Sequence, residues 1–325
     1  MKKRVLILGA GGFIGYHLTK EFLKNDFEVT ALELYEPKKD FFKKIVKIII
    51  KDLSKISDNE AINLIKGNDY AVFAGGIDDR ALLKKPAYKI FKSANVDFAV
   101  RFLRLCKKAG VKKAVVLNSY FSYFDKILPE MKLAKIHSYI KSRVEQRQAG
   151  LSLSSKDFKV IILELPYIFG TAPGKKILWE GLIKYVNAWP ILFFTNGGTA
   201  MVSVSNVAKA VFNSIKYSKE SLAMPVYTEN VTWKDWISRI LEFSNKKPKT
   251  IIVVPKFLAK IGAFFLKTWH SIKGLESGLE PVNYVDFQYM NSFVTDTSCE
   301  SILKIKKESI NESLKETVKS CLKWK

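Results

Sequence analysis

Three glycines stand three residues apart near the start of the chain, at Gly9, Gly12 and Gly15. They follow an apolar run over residues 5–8, which predicts a strand, and they precede apolar residues at helical spacing. In such a unit the glycines allow a sharp turn, close backbone approach to a phosphate, and tight packing of helix on strand. The N–H groups at the helix start attract anions. The pattern predicts that the chain binds a dinucleotide through its pyrophosphate; the alternative is a tight turn with no ligand.

An acidic residue, Glu33, ends the next predicted strand, eighteen positions after Gly15. A carboxylate at this place accepts hydrogen bonds from both ribose hydroxyls of NAD and repels the 2′-phosphate of NADP. Lys38 and Lys39 follow closely and could offset that repulsion. We therefore predict NAD as the cofactor, with NADP less favoured.

Apolar runs of strand length alternate with helical patterns through the first half of the chain, which is typical of a parallel sheet covered by helices on both faces. The predicted strands cover residues 5–8, 28–34, 45–50, 69–76, 113–117 and 159–165. We predict an α/β fold, a Rossmann doubly wound parallel sheet with a smaller, mixed C-terminal substrate-binding portion. Residues 1–169 are predicted to form the NAD(P)-binding domain, to which 196–217 return. Residues 170–325 are predicted to be mostly the substrate-binding portion.

The composition favours a folded protein of the cytoplasm. Hydrophobic residues make up 48% of the chain, and no apolar run approaches the ~18–20 residues of a membrane span. The first apolar run is too short for a signal peptide and leads directly into the glycine turn. The three cysteines and three histidines lack metal-ligand spacing, so the sequence predicts no metal site.

The formal net charge of +23 raises the question of a nucleic-acid partner. Only seven of the 54 basic residues are arginine, the residue suited to base readout and bidentate phosphate binding. The lysines are spread along the whole chain. We predict a small-molecule substrate and no specific nucleic acid, with attraction to anionic substrates or anionic membrane surfaces.

A second unusual segment covers residues 255–270. Apolar residues line one face of the predicted helix and lysines mark another: Phe257, Ile261, Phe264, Phe265 and Thr268 against Lys256, Lys260 and Lys267. The pattern is consistent with weak contact to a membrane surface. The ordinary alternatives are a cap on the substrate pocket or a subunit contact in a homodimer.

Further short motifs follow the glycine turn. In order, they are Asp52-Leu53, Gly75-Gly76, Asn95, Asn118-Ser119 with Tyr123 after it, Tyr139, and residues 166–170. With these motifs the chain resembles the extended or atypical short-chain dehydrogenase/reductase family, which is NAD-dependent epimerase/dehydratase-like, over about residues 2–217. The resemblance implies a set of cofactor-binding residues: Gly9, Gly12, Phe13, Ile14, Gly15, Glu33, Asp52, Leu53, Gly75, Gly76, Tyr139, Arg143, Pro166 and Ile168.

The resemblance also implies the chemistry, which is hydride transfer coupled to proton transfer at a hydroxyl or carbonyl. Tyr139 would be the general acid/base, and Ser119 would orient the substrate oxygen. The family's lysine, one helical turn after the tyrosine, is replaced here by Arg143. Arginine supplies charge and hydrogen bonds but does not titrate. Lys141 lies two positions after Tyr139, on the opposite side of the helix, and cannot take its place.

The substrate is open to three interpretations. Sugar-nucleotide members of the family carry a diphosphate-binding arginine in a segment that reads here, over residues 197–204, without one. The second half is rich in aromatic residues, which favours a small or apolar hydroxyl or carbonyl substrate. We therefore expect an NAD(P)-dependent oxidoreductase acting on such a substrate. The alternatives are a sugar-nucleotide epimerase or dehydratase, and a non-catalytic NAD(P)-binding sensor.

Overall fold

The computed structural model describes residues 2–36 and 46–323. The strands are β1 Arg4–Leu8, β2 Glu28–Glu33, β3 Lys47–Ile50, β4 Tyr70–Phe73, β5 Leu82–Lys84, β6 Lys113–Ser119, β7 Lys159–Leu165, β8 Tyr167–Phe169, β9 Ile191–Phe194, β10 Gly198–Ser203, β11 Leu222–Pro225, β12 Glu229–Thr232, β13 Thr250–Val253, β14 Leu275–Ser277 and β15 Asn291–Ser292. The helices are α1 Phe13–Lys24, α2 Asp58–Ile65, α3 Ala87–Phe91, α4 Phe98–Lys108, α5 Phe121–Ile127, α6 Leu133–Ile136, α7 Ser138–Ser152, α8 Glu180–Ala188, α9 Val204–Tyr217, α10 Trp233–Phe243, α11 Lys256–Ile272, α12 Pro281–Gln288, α13 Ser298–Ser301 and α14 Asn311–Lys323. A π-helical segment, Lys92–Asp97, joins α3 to α4.

In the described part of the chain, seven parallel strands form the central sheet, in the order β11-β7-β6-β4-β1-β2-β3. This confirms the predicted Rossmann-type α/β fold. The chain order reverses between β1 and β4. In sheets of this kind a ligand crevice opens beyond the carboxyl ends of the strands at such a reversal.

Buried side chains cover both faces of this sheet. On one face α1 and α9 pack Leu18, Phe22 and Val207 against it. On the other, α2 and α4 contribute Ile65 and Phe102. Strands β6 and β7 are buried almost throughout, which explains their uninterrupted apolar sequences. The sheet is therefore a rigid base for the residues at its carboxyl edge.

The C-terminal portion is built around a smaller sheet, β12-β10-β15 with β8 on β10. Its core is rich in tryptophan, with Trp233 and Trp236 buried and Trp179 packed against them. The segment 196–217 divides between the two sheets, because β10 joins the smaller one while α9 packs on α1. Strand β11, farther along the chain, returns to the edge of the central sheet beside β7. The domain division at residue 170 stays a prediction.

Candidate active site

The glycine turn joins β1 to α1 at the carboxyl edge of the sheet. Gly9 has a φ of +83°, a conformation that favours glycine. A Cβ on Gly15 would lie 2.1 Å from the Gly9 carbonyl oxygen, so only glycine lets the helix approach the strand this closely. Gly12 precedes the first turn of α1, whose N–H groups have no acceptor within the helix. This turn presents donors and the positive end of a helix dipole to an anion.

Glu33 lies against this turn from the end of β2. The Gly11 N–H donates a hydrogen bond to Glu33 Oε1 at 2.5 Å. Burial raises the pKa of the Glu33 carboxyl, although the hydrogen bond from Gly11 opposes the shift. The carboxylate thus stands where the sequence places it for a ribose contact, and that role stays a prediction. Lys38 and Lys39 lie outside the described residues.

Asp52 and Leu53 both contribute to the fold, one as a cap and the other in the core. The Asp52 carboxylate accepts hydrogen bonds from the Ser54 N–H and hydroxyl at 2.9 and 2.6 Å, which caps a short 3₁₀ turn. Leu53 is buried in the core between β2 and α2. Their role in binding the cofactor, which the resemblance implies, stays a prediction.

Most of the other predicted residues surround one cavity of about 520 Å³ at the carboxyl edge of the sheet. Those lining it are Gly12, Phe13, Ile14, Gly15, Gly75, Gly76, Ser119, Tyr139, Arg143, Pro166 and Ile168. Gly9, Glu33, Asp52 and Leu53 lie outside its lining, as does Tyr123, which is buried in α5. The structure therefore brings most of the predicted site residues together around one cavity and leaves Gly9, Glu33, Asp52 and Leu53 outside its lining.

Three polar side chains lie close together in the wall of this cavity. Ser119 ends β6, Tyr139 lies in the first turn of α7, and Arg143 follows one turn later. Burial raises the pKa of Tyr139, while the charge of Arg143 and hydrogen bonding with Ser119 oppose the rise. A phenol held between a hydroxyl and a guanidinium can donate a proton, and its anion is stabilised by the neighbouring charge.

A network of buried amides fixes Arg143. Its Nη1 donates to Gln146 Oε1 at 3.0 Å, and its Nη2 donates to the Ile77 carbonyl at 3.3 Å. Asn118 Nδ2 donates to both the Arg143 carbonyl and Gln146 Oε1. Asn95 joins the same network by donating to Ile77 and accepting from its N–H. Among the described residues, Arg143 Nε has no partner and is buried.

Beside this network, at Gly76, there is no room for a side chain. Its φ is +122°, and a Cβ there would lie 2.6 Å from Asn95 Oδ1 and 3.6 Å from both terminal nitrogens of Arg143. Together with the glycine turn, this gives an open cradle running from α1 to Arg143. These residues fit the cofactor that the sequence predicts: the glycine turn would hold its pyrophosphate, and Tyr139 and Arg143 would hold its second ribose.

Tyr167, within the motif at residues 166–170, also lines the cavity. Further lining residues, which none of the sequence motifs covers, are Asp78, Asp79, Arg80, Tyr120, Phe121, Leu178, Trp179, Leu279, Tyr284 and Gln288. Burial, together with the charge of Asp78, raises the pKa of Asp79, and the cations Arg80 and Arg143 oppose the rise. Arg80 pairs with Asp78, and Tyr167 stacks on Trp179 with ring centres 4.6 Å apart.

The spacing of residues in α7 could have identified Gln146 as part of the site, whereas nothing in the sequence points to Tyr284 or Gln288. Gln146 lies three residues after Arg143 and seven after Tyr139, a spacing that places all three on one helix face. Tyr284 and Gln288 come from α12, far along the chain, and no local pattern connects them to Tyr139.

Comparison with known proteins gives one family. The sequence profile of the NAD dependent epimerase/dehydratase family matches residues 5–221. This match confirms the resemblance drawn from the motifs. No curated protein matches the chain.

Solved structures of the same fold are numerous. The crystal structure of gox2253 has a TM-score of 0.78 at 16% identity, covering 98% of this chain and 97% of that one. UDP-glucuronic acid 4-epimerase from Bacillus cereus, in complex with UDP-glucuronic acid and NAD, has a TM-score of 0.72 at 14% identity, covering 99% and 100%. MoeE5 in complex with UDP-glucose and NAD has a TM-score of 0.68 at 16% identity, covering 97% of each chain. At these identities the likeness shows the fold.

Proposed function

The chain belongs to the NAD-dependent epimerase/dehydratase family, and we propose that it uses NAD to oxidise a hydroxyl-bearing carbon of a sugar-like substrate, most simply in an epimerase reaction on a sugar nucleotide. The family is one of enzymes that depend on NAD, as the sequence predicted. The observation that carries the proposal is the placing of Tyr139 between Ser119 and Arg143, at the wall of a cavity with several polar groups on its other side.

The protein's own residues divide the proton chemistry between them. NAD, when bound, supplies the hydride acceptor. Tyr139, as its phenolate, takes the proton from the substrate hydroxyl, and Ser119 donates a hydrogen bond that holds the substrate oxygen beside it. Arg143 stabilises the phenolate and offers donors to the ribose, while Gln146 and Ile77 hold its guanidinium in place. Because Arg143 does not titrate, the proton leaves Tyr139 to the substrate or to water.

The lining of the cavity supports a polyhydroxylated substrate over an apolar one. Tyr167, Tyr284 and Gln288 present hydroxyl and amide groups, and Asp79 presents a carboxyl group. Tyr167 and Tyr284 hydrogen-bond each other, but a purely apolar substrate would remove Asp79 and Gln288 from water without offering them hydrogen bonds, which is costly. Trp179 adds a flat aromatic wall. The small or apolar substrate stays a prediction that these groups do not favour.

Two solved structures and Arg80 support a nucleotide as the other half of the substrate. The 4-epimerase and MoeE5 are crystallised with UDP-sugars, but β10 of this chain has no arginine and is buried throughout. Arg80 is the cation at the open side of the cavity, with its side chain 44% exposed. We propose that Arg80 contacts the diphosphate, releasing Asp78 when it does so.

Incubation with NAD and separate substrates tests the proposal. The panel is UDP-glucose, UDP-glucuronic acid, UDP-N-acetylglucosamine, and a set of apolar alcohols and ketones. Proton NMR detects the epimer, and absorbance of the reduced nicotinamide detects net oxidation. We expect epimer from at least one UDP-sugar, and a loss of ~10²-fold or more in Tyr139→Phe. Turnover of apolar substrates alone would contradict the sugar assignment, and equal activity in Tyr139→Phe would show that the site is misplaced.

A further inference from the structure

Helix α11 is unusual in the amount of apolar surface that it exposes. None of its 17 residues is buried. Phe265 is 67% exposed and Ile272 is 76% exposed. The large apolar residues exposed on this helix, here called the α11 face, are Phe257, Leu258, Ile261, Phe264, Phe265, Leu266, Trp269 and Ile272. A contiguous apolar surface of this kind marks an interaction site.

The polarity of α11 is the reverse of that of an ordinary surface helix. Its lysines point toward the protein: Lys256 and Lys260 pair with Asp286 at 2.6 and 2.8 Å. Lys267 pairs with Glu280 at 3.0 Å. Both carboxylates belong to α12 or its N-cap, against which α11 packs. Ion pairs thus fasten the helix to the protein, and the apolar side is left facing outward.

Exposed apolar residues also continue beyond the helix. Strand β13 leads through Val254 and Pro255 directly into α11 and pairs with β9. Ile191, Phe193 and Ile252 on these two strands are each more than 40% exposed. At the other end of α11, the Lys273 ammonium lies 4.2 Å from the centre of the Trp269 ring. An amphipathic aromatic beside a lysine is a pairing common at the boundary between lipid and water.

Two other uses of the helix are not favoured by the structure. Within the described residues, none from α11 lines the cavity that holds Tyr139, so the helix does not cap the substrate site. A second copy of the chain seated on the α11 face would bring together two molecules that each carry a charge of +23. Like charge of this size opposes association of two copies and favours an anionic partner.

We propose that the α11 face docks on an anionic lipid surface. The segment Lys256–Ile272 contains no acidic residue, so nothing on the helix repels lipid phosphates. The helix would lie in the plane of the interface, with its aromatic residues among the acyl chains and the lysine-rich body above the headgroups. Within residues 2–36 and 46–323, no helix is long and apolar enough to cross a membrane.

Sedimentation with lipid vesicles tests the proposal on the full chain. Native protein is mixed with vesicles of phosphatidylcholine alone, or of phosphatidylcholine with phosphatidylglycerol, at low and high salt. We expect binding to the anionic vesicles that weakens with salt, and little binding to the neutral ones. Phe265→Ser should weaken the binding by ~10-fold or more because it removes an inserted aromatic ring.

The matched control is Tyr217→Ser, which removes another exposed aromatic side chain, at the end of α9. Both variants should have the melting temperature of the native protein and the same affinity for NAD. Native protein that stays in the supernatant with anionic vesicles overturns the proposal. A concentration-dependent dimer that Phe265→Ser dissociates would then assign the α11 face to a second copy. Equal binding to neutral vesicles, or unchanged binding by Phe265→Ser, also overturns it.

Discussion

The Arg143 guanidinium lies over the face of the Tyr139 ring, with its central carbon 5.1 Å from the ring centre. The two residues are one helical turn apart in α7. The same guanidinium donates hydrogen bonds to the Gln146 side chain and to the Ile77 carbonyl. The cation is therefore fixed beside the phenol before any ligand binds. In the proposed mechanism it would stabilise the phenolate by its charge, without offering a proton of its own.

Removing this charge should move the pH profile of the enzyme. In Arg143→Gln the Tyr139 phenolate loses its cation, so the pKa of Tyr139 rises. The rate of substrate oxidation needs the phenolate, and the acid limb of the pH profile should therefore shift to higher pH. Arg143→Lys keeps the charge and should shift less. Steady-state rates against pH provide the measurement.

Lys141→Gln is the matched control for Arg143→Gln, because it removes a cation from the same helix. Lys141 lies over the Tyr88 ring, 4.1 Å from its centre, and not over Tyr139. Its pH profile should stay native. If Lys141→Gln moves the profile as far as Arg143→Gln does, the effect comes from net charge and the special role of Arg143 is wrong.

Asp79 should act on the same proton in the opposite direction. Its negative charge raises the pKa of Tyr139. In Asp79→Asn that charge is gone, the pKa of Tyr139 falls, and the acid limb for oxidation moves to lower pH. Asp78→Asn is the control, since Asp78 pairs with Arg80. A profile that moves to higher pH in Asp79→Asn would contradict this assignment.

Site residues that lie in short motifs could be predicted from the sequence. Those that come from distant parts of the chain could not. The glycine turn is predicted from a few neighbouring residues, because strand, turn and helix signals are local. Ser119, Tyr139 and Arg143 are implied by the resemblance to the family, and each motif that carries that resemblance is short. Tyr284 reaches the cavity because α12 packs its Tyr284 and Phe287 rings against Phe121 of α5, which is far away along the chain. No short-range pattern encodes such a contact.

Strand pairing shows the same limit. The segment 198–203 has the composition of a buried strand, and the sequence places it with the Rossmann domain. In the structure it pairs with β8 and β12 in the smaller sheet, while only its following helix packs on α1. The choice of sheet depends on which partner edges are free in the folded protein, and the apolar pattern of one strand does not carry that information.

Gly76 should be needed for stability as well as for cofactor access. Gly76→Ala places a methyl group 2.6 Å from Asn95 Oδ1 at a φ of +122°. We expect a loss of about 1–3 kcal/mol in the free energy of unfolding, measured by urea denaturation. Gly181→Ala is the contrasting change, because its Cβ meets nothing within 4 Å in helix α8. That variant should be about 0.5–1 kcal/mol more stable than native. A Gly76→Ala protein as stable as native would contradict the strain at this turn.

Glu33 should decide between NAD and NADP. Its carboxylate accepts from the Gly11 N–H and lies at the glycine turn, where it repels a phosphate on the adenosine ribose. Glu33→Gln keeps the shape and a hydrogen-bond acceptor but removes the charge. Calorimetry on native protein should show tighter binding of NAD than of NADP. In Glu33→Gln the affinity for NADP should rise, so that the ratio of the two affinities falls by ~5-fold or more. Glu28→Gln, at the start of the same strand and paired with Arg4, should leave both affinities unchanged. Tighter binding of NADP than of NAD by the native protein would contradict the role of Glu33.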